Sequence, residues 1–501
     1  MPGPIKTELR EYAHRPSDGK GPYADNLETD VLIIGAGFAG VYLLHELRQL
    51  GYKTVIYEAG DGFGGTWRWN RYPGARVDSE VPEYELSIPE LYRDWTWTTN
   101  YPDYTELRAY FAHADRVLDL SRDTAFGSVV TSAHFDEGEG RWTVKTEDGR
   151  TARPRFLIVA AGFAAKRVFQ RTPNLAVPMG KKPLTAEEQN RTKKFYPQLM
   201  KLREHCFGGF MFTFSEKNTF EDSAEEREKH YRKLWDHGGF SFWLGNYKDY
   251  LFDAKANREA YNFWAKNQRA RIGDARKRDL LAPLEPPHAF GVKRPCLEQN
   301  YYEQFNRENV DVVDIAGNPI VEIKPNGILL RDGTLHEVDV IAIATGFDIT
   351  TGGMTNMGLT SVHGTTLKDE WKDAAYTYLG TTVSGYPNMF HLYGPHGPTL
   401  LSNGPTSIEV QSRWIVDAIK AVDRAGLKCI DPTPDASRAW KARINELSDA
   451  SLFPTTRSTY MGGSLPGKPF EQVNYAGGIP QYAREIREAL PGFKGFRTVK
   501  A

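Results

Sequence analysis

Val31-Leu32-Ile33-Ile34-Gly35-Ala36-Gly37-Phe38-Ala39-Gly40 decides the fold class. An apolar run meets a glycine turn, and a helix-forming stretch from Val41 to Leu50 follows. A second apolar run, Thr54-Val55-Ile56-Tyr57, ends in Glu58. Residues 30–60 therefore predict a β-α-β unit. In such a unit Gly35 permits the turn, Gly37 lets the backbone approach a pyrophosphate, and Gly40 lets helix and strand pack closely. The helix N-terminus then offers free N–H groups and the positive end of its dipole to phosphates. Glu58 follows Gly35 by 23 residues, where a carboxylate accepts from ribose hydroxyls.

Working outward, 501 residues are enough for more than one domain. The net charge of -1 gives no general attraction to nucleic acid or to anionic membranes. Cys206, Cys296 and Cys429 are far apart and odd in number, with no metal-ligand or C-x-x-C spacing. They predict reduced intracellular thiols used in packing. Residues 1–29 are polar and hold no apolar segment of a signal peptide; they predict a polar arm. No apolar run reaches the roughly eighteen residues of a membrane-spanning helix. The expectation is a soluble, cytoplasmic protein, a monomer or weak homo-oligomer.

Residues 104–117 predict a helix, and residues 128–150 a meander turning at Glu137–Gly140 and Asp148-Gly149. Phe156–Gly162 reads as a buried parallel strand. A charged helical region follows from Ala186 to Leu281; its run Glu225-Glu226-Arg227-Glu228-Lys229 is a solvated helix face. Strands are expected to return at Val310. Val338-Asp339-Val340-Ile341-Ala342-Ile343-Ala344 reads as another buried strand, and a helix is expected from Ser407 to Arg424.

The Glu58 carboxylate disfavours a ribose 2′-phosphate, so FAD or NAD suits the first site better than NADP. Ala344-Thr345-Gly346-Phe347-Asp348 is a second strand-to-glycine junction, placed late in the chain. Here the chain resembles the two-dinucleotide flavoproteins, in which a late Thr-Gly pair, here Thr345-Gly346, lies near FAD.

Gly64-Gly65-x-Trp67-x-x-x-x-Tyr72-Pro73-Gly74-x-x-x-Asp78 resembles the signature of type I Baeyer–Villiger monooxygenases, matching every fixed position. Phe290-Gly291-Val292-Lys293-Arg294 is similar to the active-site segment of that family. Phe169-Gln170-Arg171-Thr172-Pro173 is similar to its nicotinamide-domain strand. Tyr460–Gly463 and Pro466–Pro469 are similar to its C-terminal loop, and the likeness spans nearly all of residues 30–490. The resemblance implies a ketone converted to an ester or lactone with O2 and NADPH, through a flavin peroxide stabilised by Arg294. A guanidinium suits that role because it keeps its proton beside an anion. Asp78 would pair with Arg294 and orient it. Gly35, Gly37, Gly40, Glu58, Gly65, Thr66, Trp67, Asp78, Tyr84, Val130, Thr345 and Gly346 would hold FAD. Arg171, Thr172 and Lys293 would hold the NADP 2′-phosphate, and Val177, Leu400, Leu401 and Met461 are candidates for a substrate pocket.

Two features of the family are missing. Between the two flavin segments no His-Thr-x-x-Trp-Pro stretch occurs, and no second G-x-G-x-x-G. Only six residues separate Gly162 from Phe169, where a βαβ unit takes about thirty. The expected fold is α/β, of the two-dinucleotide-binding-domain flavoprotein type. A polar arm (1–29) precedes an FAD Rossmann domain in two segments (30–165 and 344–501). A reduced NADPH-type domain (166–185 and 286–343) carries a helical insert (186–285). Two other readings stay open at this point: an FAD-binding remnant with impaired NADPH use, and a flavin monooxygenase that oxidises nitrogen or sulfur.

Overall fold

The computed structural model of the protein describes residues 21–160, 172–341, 350–462 and 469–501. Six strands arise early: β1 (Leu27–Ile34), β2 (Thr54–Tyr57), β3 (Thr124–Ala125), β4 (Val130–Asp136), β5 (Arg141–Thr146) and β6 (Thr151–Val159). The polar arm is therefore shorter than expected, because Leu27 already packs in the core and starts β1. The pairs β7 (Val177–Pro178) with β8 (Leu297–Glu298), and β9 (Ile320–Lys324) with β10 (Gly327–Leu330) and β11 (Leu335–Glu337), form separate small sheets. Then β12 (Leu359–Thr360) and β13 (Met389–His391) rejoin the first six in one eight-stranded sheet.

The strand order is β12-β4-β5-β6-β1-β2-β3, with β13 also on β6. Ile33 of β1 sits opposite Ile56 of β2 and Ile158 of β6, both parallel. Phe390 of β13 sits opposite the same Ile158. One parallel unit is thus assembled from two distant stretches of chain. Its strands read as continuous apolar runs because both faces are covered. Val31 and Ile33 face a cluster with α1 (Phe38–Gln49) and with Ile415 and Ile419 of the helix Gly404–Arg424. Leu32 and Ile34 face Leu157, Val159 and Met389. Gly40 is required for this packing: a Cβ there would stand 2.0 Å from the Gly35 carbonyl oxygen.

The charged region is helical, with Ala186–Thr192, Tyr196–His205, Ala224–His237, Ala254–Arg269 and Ala275–Leu281 as its longer members. Ser223 and Glu226 close a capping box, and Glu225, Glu226, Glu228 and Lys229 face solvent as expected.

The expectation of a buried strand from Val338 is overturned for its described residues. Val338 to Ile341 form no strand, and Val340 is 82% exposed. After the short β8 the next strand begins at Ile320, not at Val310. A parallel strand is stable when neighbours pair both of its edges. Among the described residues the backbone N–H of Val338 reaches only the Asn326 carbonyl, and no strand lies beside residues 311–315. These two segments flank an apolar groove of about 420 Å³ lined by Leu280, Phe305, Val312, Ile328 and Leu330.

Cys206 and Cys429 are packed, but Cys296 is exposed, correcting the packing role for that residue. It stands at the edge of β8, where its Sγ accepts from Asn174 Nδ2 at 3.2 Å. No described helix is long and apolar enough to cross a membrane.

Candidate active site

A cavity of about 570 Å³ opens beyond the C-terminal ends of β1 and β2. It is lined by Gly35, Gly37, Glu58, Gly65, Thr66, Trp67, Asp78, Tyr84, Val130 and Arg294, all singled out from sequence. Gly40 packs beneath it. Thr345, Gly346 and Arg171 lie outside the described residues. Lys293 is half-buried beside Arg294, whereas Thr172 lines the separate groove at residues 311–338. Of the substrate-pocket candidates Leu400 lines the cavity, but Val177, Leu401 and Met461 are buried in a core cluster. An apolar side chain carries no signal that separates cavity wall from core.

The floor is made by two glycine turns in contact. Gly35 has φ +108° and Gly65 φ +51°, and a Cβ on Gly65 would come 3.0 Å from the Gly37 Cα. Both positions need glycine, one for the turn and one for the close approach. The first turn of α1 then points into the cavity, as does that of the Gly404–Arg424 helix through Gly404, Pro405 and Ile408. Two positive dipole ends thus face the same space.

The Glu58 carboxylate accepts from Ala36 N and Gly60 N, both at 2.7 Å. Burial raises its pKa, and the two N–H donors oppose that rise. Each oxygen has a further lone pair, and Glu58 lines the cavity, so the carboxylate suits a ribose hydroxyl. Tyr84 accepts from Trp67 Nε1 at 3.1 Å, and their rings meet edge-on at 6.1 Å.

Arg294 is held from several sides. Nε and Nη2 donate to Asp78 Oδ2 and Oδ1 at 2.8 and 3.0 Å. Nη1 donates to the carbonyls of Leu400 and Ser402 at 2.9 and 3.3 Å. The rings of Phe240 and Trp243 lie 4.6 and 5.6 Å from the guanidinium carbon. A guanidinium has five N–H groups. Four are fixed, and one on Nη2 has no partner among the described residues. Burial alone would lower the pKa of Arg294, but the Asp78 carboxylate more than reverses this, so the side chain stays cationic. Sequence reading missed the two carbonyls and the two rings. Asn403-Gly404-Pro405 is a helix-start signal that would have placed the helix there rather than at Ser407.

A family model described as an NAD(P)-binding Rossmann-like domain matches residues 33–87. "FAD-binding monooxygenase acrE" of Aspergillus aculeatus is 53% identical, covering 99% of this chain and 93% of that protein. "Cyclopentanone 1,2-monooxygenase" of a Comamonas species is 39% identical over 94% of this chain and 96% of its own length. "Baeyer-Villiger monooxygenase" of Pseudooceanicola batsensis is 32% identical over 91% and 94%. The chain belongs to the Baeyer–Villiger monooxygenases. Solved structures of this family agree: closed cyclohexanone monooxygenase superposes with TM-score 0.89 at 32% identity, covering 95% of this chain and all of that one. A steroid monooxygenase bound to NADP gives 0.87 at 33% identity, with 95% and 100% covered.

In this Baeyer–Villiger enzyme two buried carboxyls flank Tyr84. Burial pushes both Glu83 and Glu85 up to about 8. Glu85 Oε2 accepts from Trp97 Nε1 at 3.3 Å. The unfolded chain releases the Glu85 proton near 4.5, while the folded chain keeps it to about 8. Folding stability therefore falls as pH rises through that window. Glu85→Gln should remove this loss, by an amount on the order of a few kcal/mol at pH 8 and almost none near pH 4.5. Thermal unfolding of both chains across this range checks it; parallel curves would show that Glu85 is ionised when folded.

Proposed function

We propose that the protein converts a ketone to an ester or lactone, with FAD in the cavity described above, O2 as oxidant and NADPH as reductant. The carrying observation is Arg294, held by Asp78 and two carbonyls, with one N–H that has no acceptor among the described residues. The glycine floor and the α1 N-terminus suit the FAD pyrophosphate, and Glu58 suits its ribose. When bound, FAD supplies activated oxygen. Arg294 then stabilises negative charge on the attacking and carbonyl oxygens, since it stays protonated there. Asp78 fixes the plane of the guanidinium, and Phe240 and Trp243 exclude water from one side of it.

The reading includes a shortened nicotinamide half. The alignment with the Aspergillus relative spans 551 positions against 501 residues here, so at least fifty positions face gaps in this chain. The exposed Val338–Val340 segment and the open groove support a missing neighbour in that half. NADPH use is then weaker than a complete nicotinamide domain would give. Oxidation of nitrogen or sulfur is less well supported, because a fixed guanidinium serves an anionic attack on a carbonyl.

Anaerobic stopped-flow mixing of FAD-loaded protein with NADPH tests the reading. Slow but saturable flavin bleaching, with ester formed from a cyclic ketone in air, is expected. Bleaching without ester, or sulfoxide from a sulfide in preference to ester, would overturn it.

A further inference from the structure

Arg203 lies in the helix Tyr196–His205, within the charged helical region, and its side chain is completely buried. Burying a guanidinium costs several kcal/mol unless its partners are well placed. Here they come from both segments of the parallel unit. Nη1 donates to the backbone carbonyls of Glu83 and Glu85, at 2.7 and 3.0 Å. Nη2 pairs with Glu409 at 2.8 Å, and Glu409 is itself 1% exposed. The carboxyls of Glu83 and Glu85 are used elsewhere, on Met211 N and Trp97 Nε1. Arg203 therefore grips the backbone on either side of Tyr84, not the neighbouring acids.

Both grips lead to the cavity. Tyr84 holds Trp67 in its wall. The Glu83 carbonyl also accepts from Asn403 Nδ2 at 2.8 Å. Asn403 follows Ser402, whose carbonyl accepts from Arg294. Glu409 lies further along the same helix that begins at Gly404, and it accepts from Ser87 N and Oγ at 2.8 and 2.7 Å. One buried cation thus ties together the Tyr84 wall, the start of that helix and the anchor of Arg294.

We infer that Arg203 is a positioning residue for the flavin and for Arg294, acting from the helical region through the Glu83–Glu85 backbone and Asn403. The inference rests on the FAD assignment above. A catalytic constellation loses function when its supports relax by as little as about 1 Å.

The test is Arg203→Met combined with Glu409→Gln, which removes both charges and leaves neither buried alone. The double variant should fold, by circular dichroism and cooperative unfolding. It should bind FAD about tenfold more weakly or worse, with shifted flavin absorption bands. Arg203→Lys keeps the charge opposite Glu409 but has no planar fork, so it should restore stability without restoring the spectrum. FAD affinity and spectrum within about twofold of wild type in a folded double variant would overturn the proposal. Should that variant not fold, Asn403→Ala must reproduce the spectral change, and an unchanged spectrum there overturns it equally. A wild-type chain that takes up no FAD would instead overturn the cofactor assignment, and this proposal with it.

Discussion

Arg294→Ala should abolish ester formation and leave FAD bound. Removing one preorganised donor from an oxyanion site costs about 10²–10³ in rate, and here the full positive charge goes with it. A loss of about 10³-fold or more is expected. FAD retention follows from geometry: the glycine turns, Glu58 and the N-terminus of α1 hold none of their contacts through Arg294. Asp78 loses both donors, but its side chain is 44% exposed, so water can replace them. Arg294→Lys should fall between, because an ammonium cannot serve Asp78, Leu400 and Ser402 in the same plane. The measurement is ester or lactone product beside the flavin absorption of the purified variant. Product formed within about tenfold of wild type would remove Arg294 from the chemistry.

What sequence made legible follows the range of the forces involved. Gly35 and Gly40 could be placed because their demands are local: the turn needs a positive φ, and the helix–strand contact leaves no room for a Cβ. Asp78 and Arg294 are 216 residues apart, and no periodicity brings them together. Their meeting was legible only through the likeness of two motifs to one family. The Arg203–Glu409 pair had no signal at all, since an arginine in a charged helix reads as solvated. Val338–Ile341 failed in the opposite way. Its apolar run states a strand preference, but a strand is completed by neighbours that the run does not encode. The same holds for Val312 and Val313 beside the groove.

That last failure yields the second large effect. Inserting a strand–Gly-x-Gly-x-x-Gly–helix unit between Gly162 and Phe169 should raise NADPH affinity by about 100-fold or more. Each backbone donor on a phosphate contributes roughly 1.5–3 kcal/mol, and a glycine turn at a helix N-terminus supplies at least two. The insertion should also change the protein without NADPH. A new parallel strand would cover Val338 and Val340, each worth about 1.5–3 kcal/mol on full burial. It would pair N–H groups that now meet no strand. Binding of a hydrophobic dye should fall, and amide exchange over residues 311–341 should slow by orders of magnitude. The two readouts separate the causes. Slower exchange with unchanged NADPH affinity would mean the missing unit limits folding but not reduction. Unchanged exchange would mean residues 311–341 are complete as they stand. The exposed valines would then be ordinary surface, and weak flavin bleaching would need a cause elsewhere.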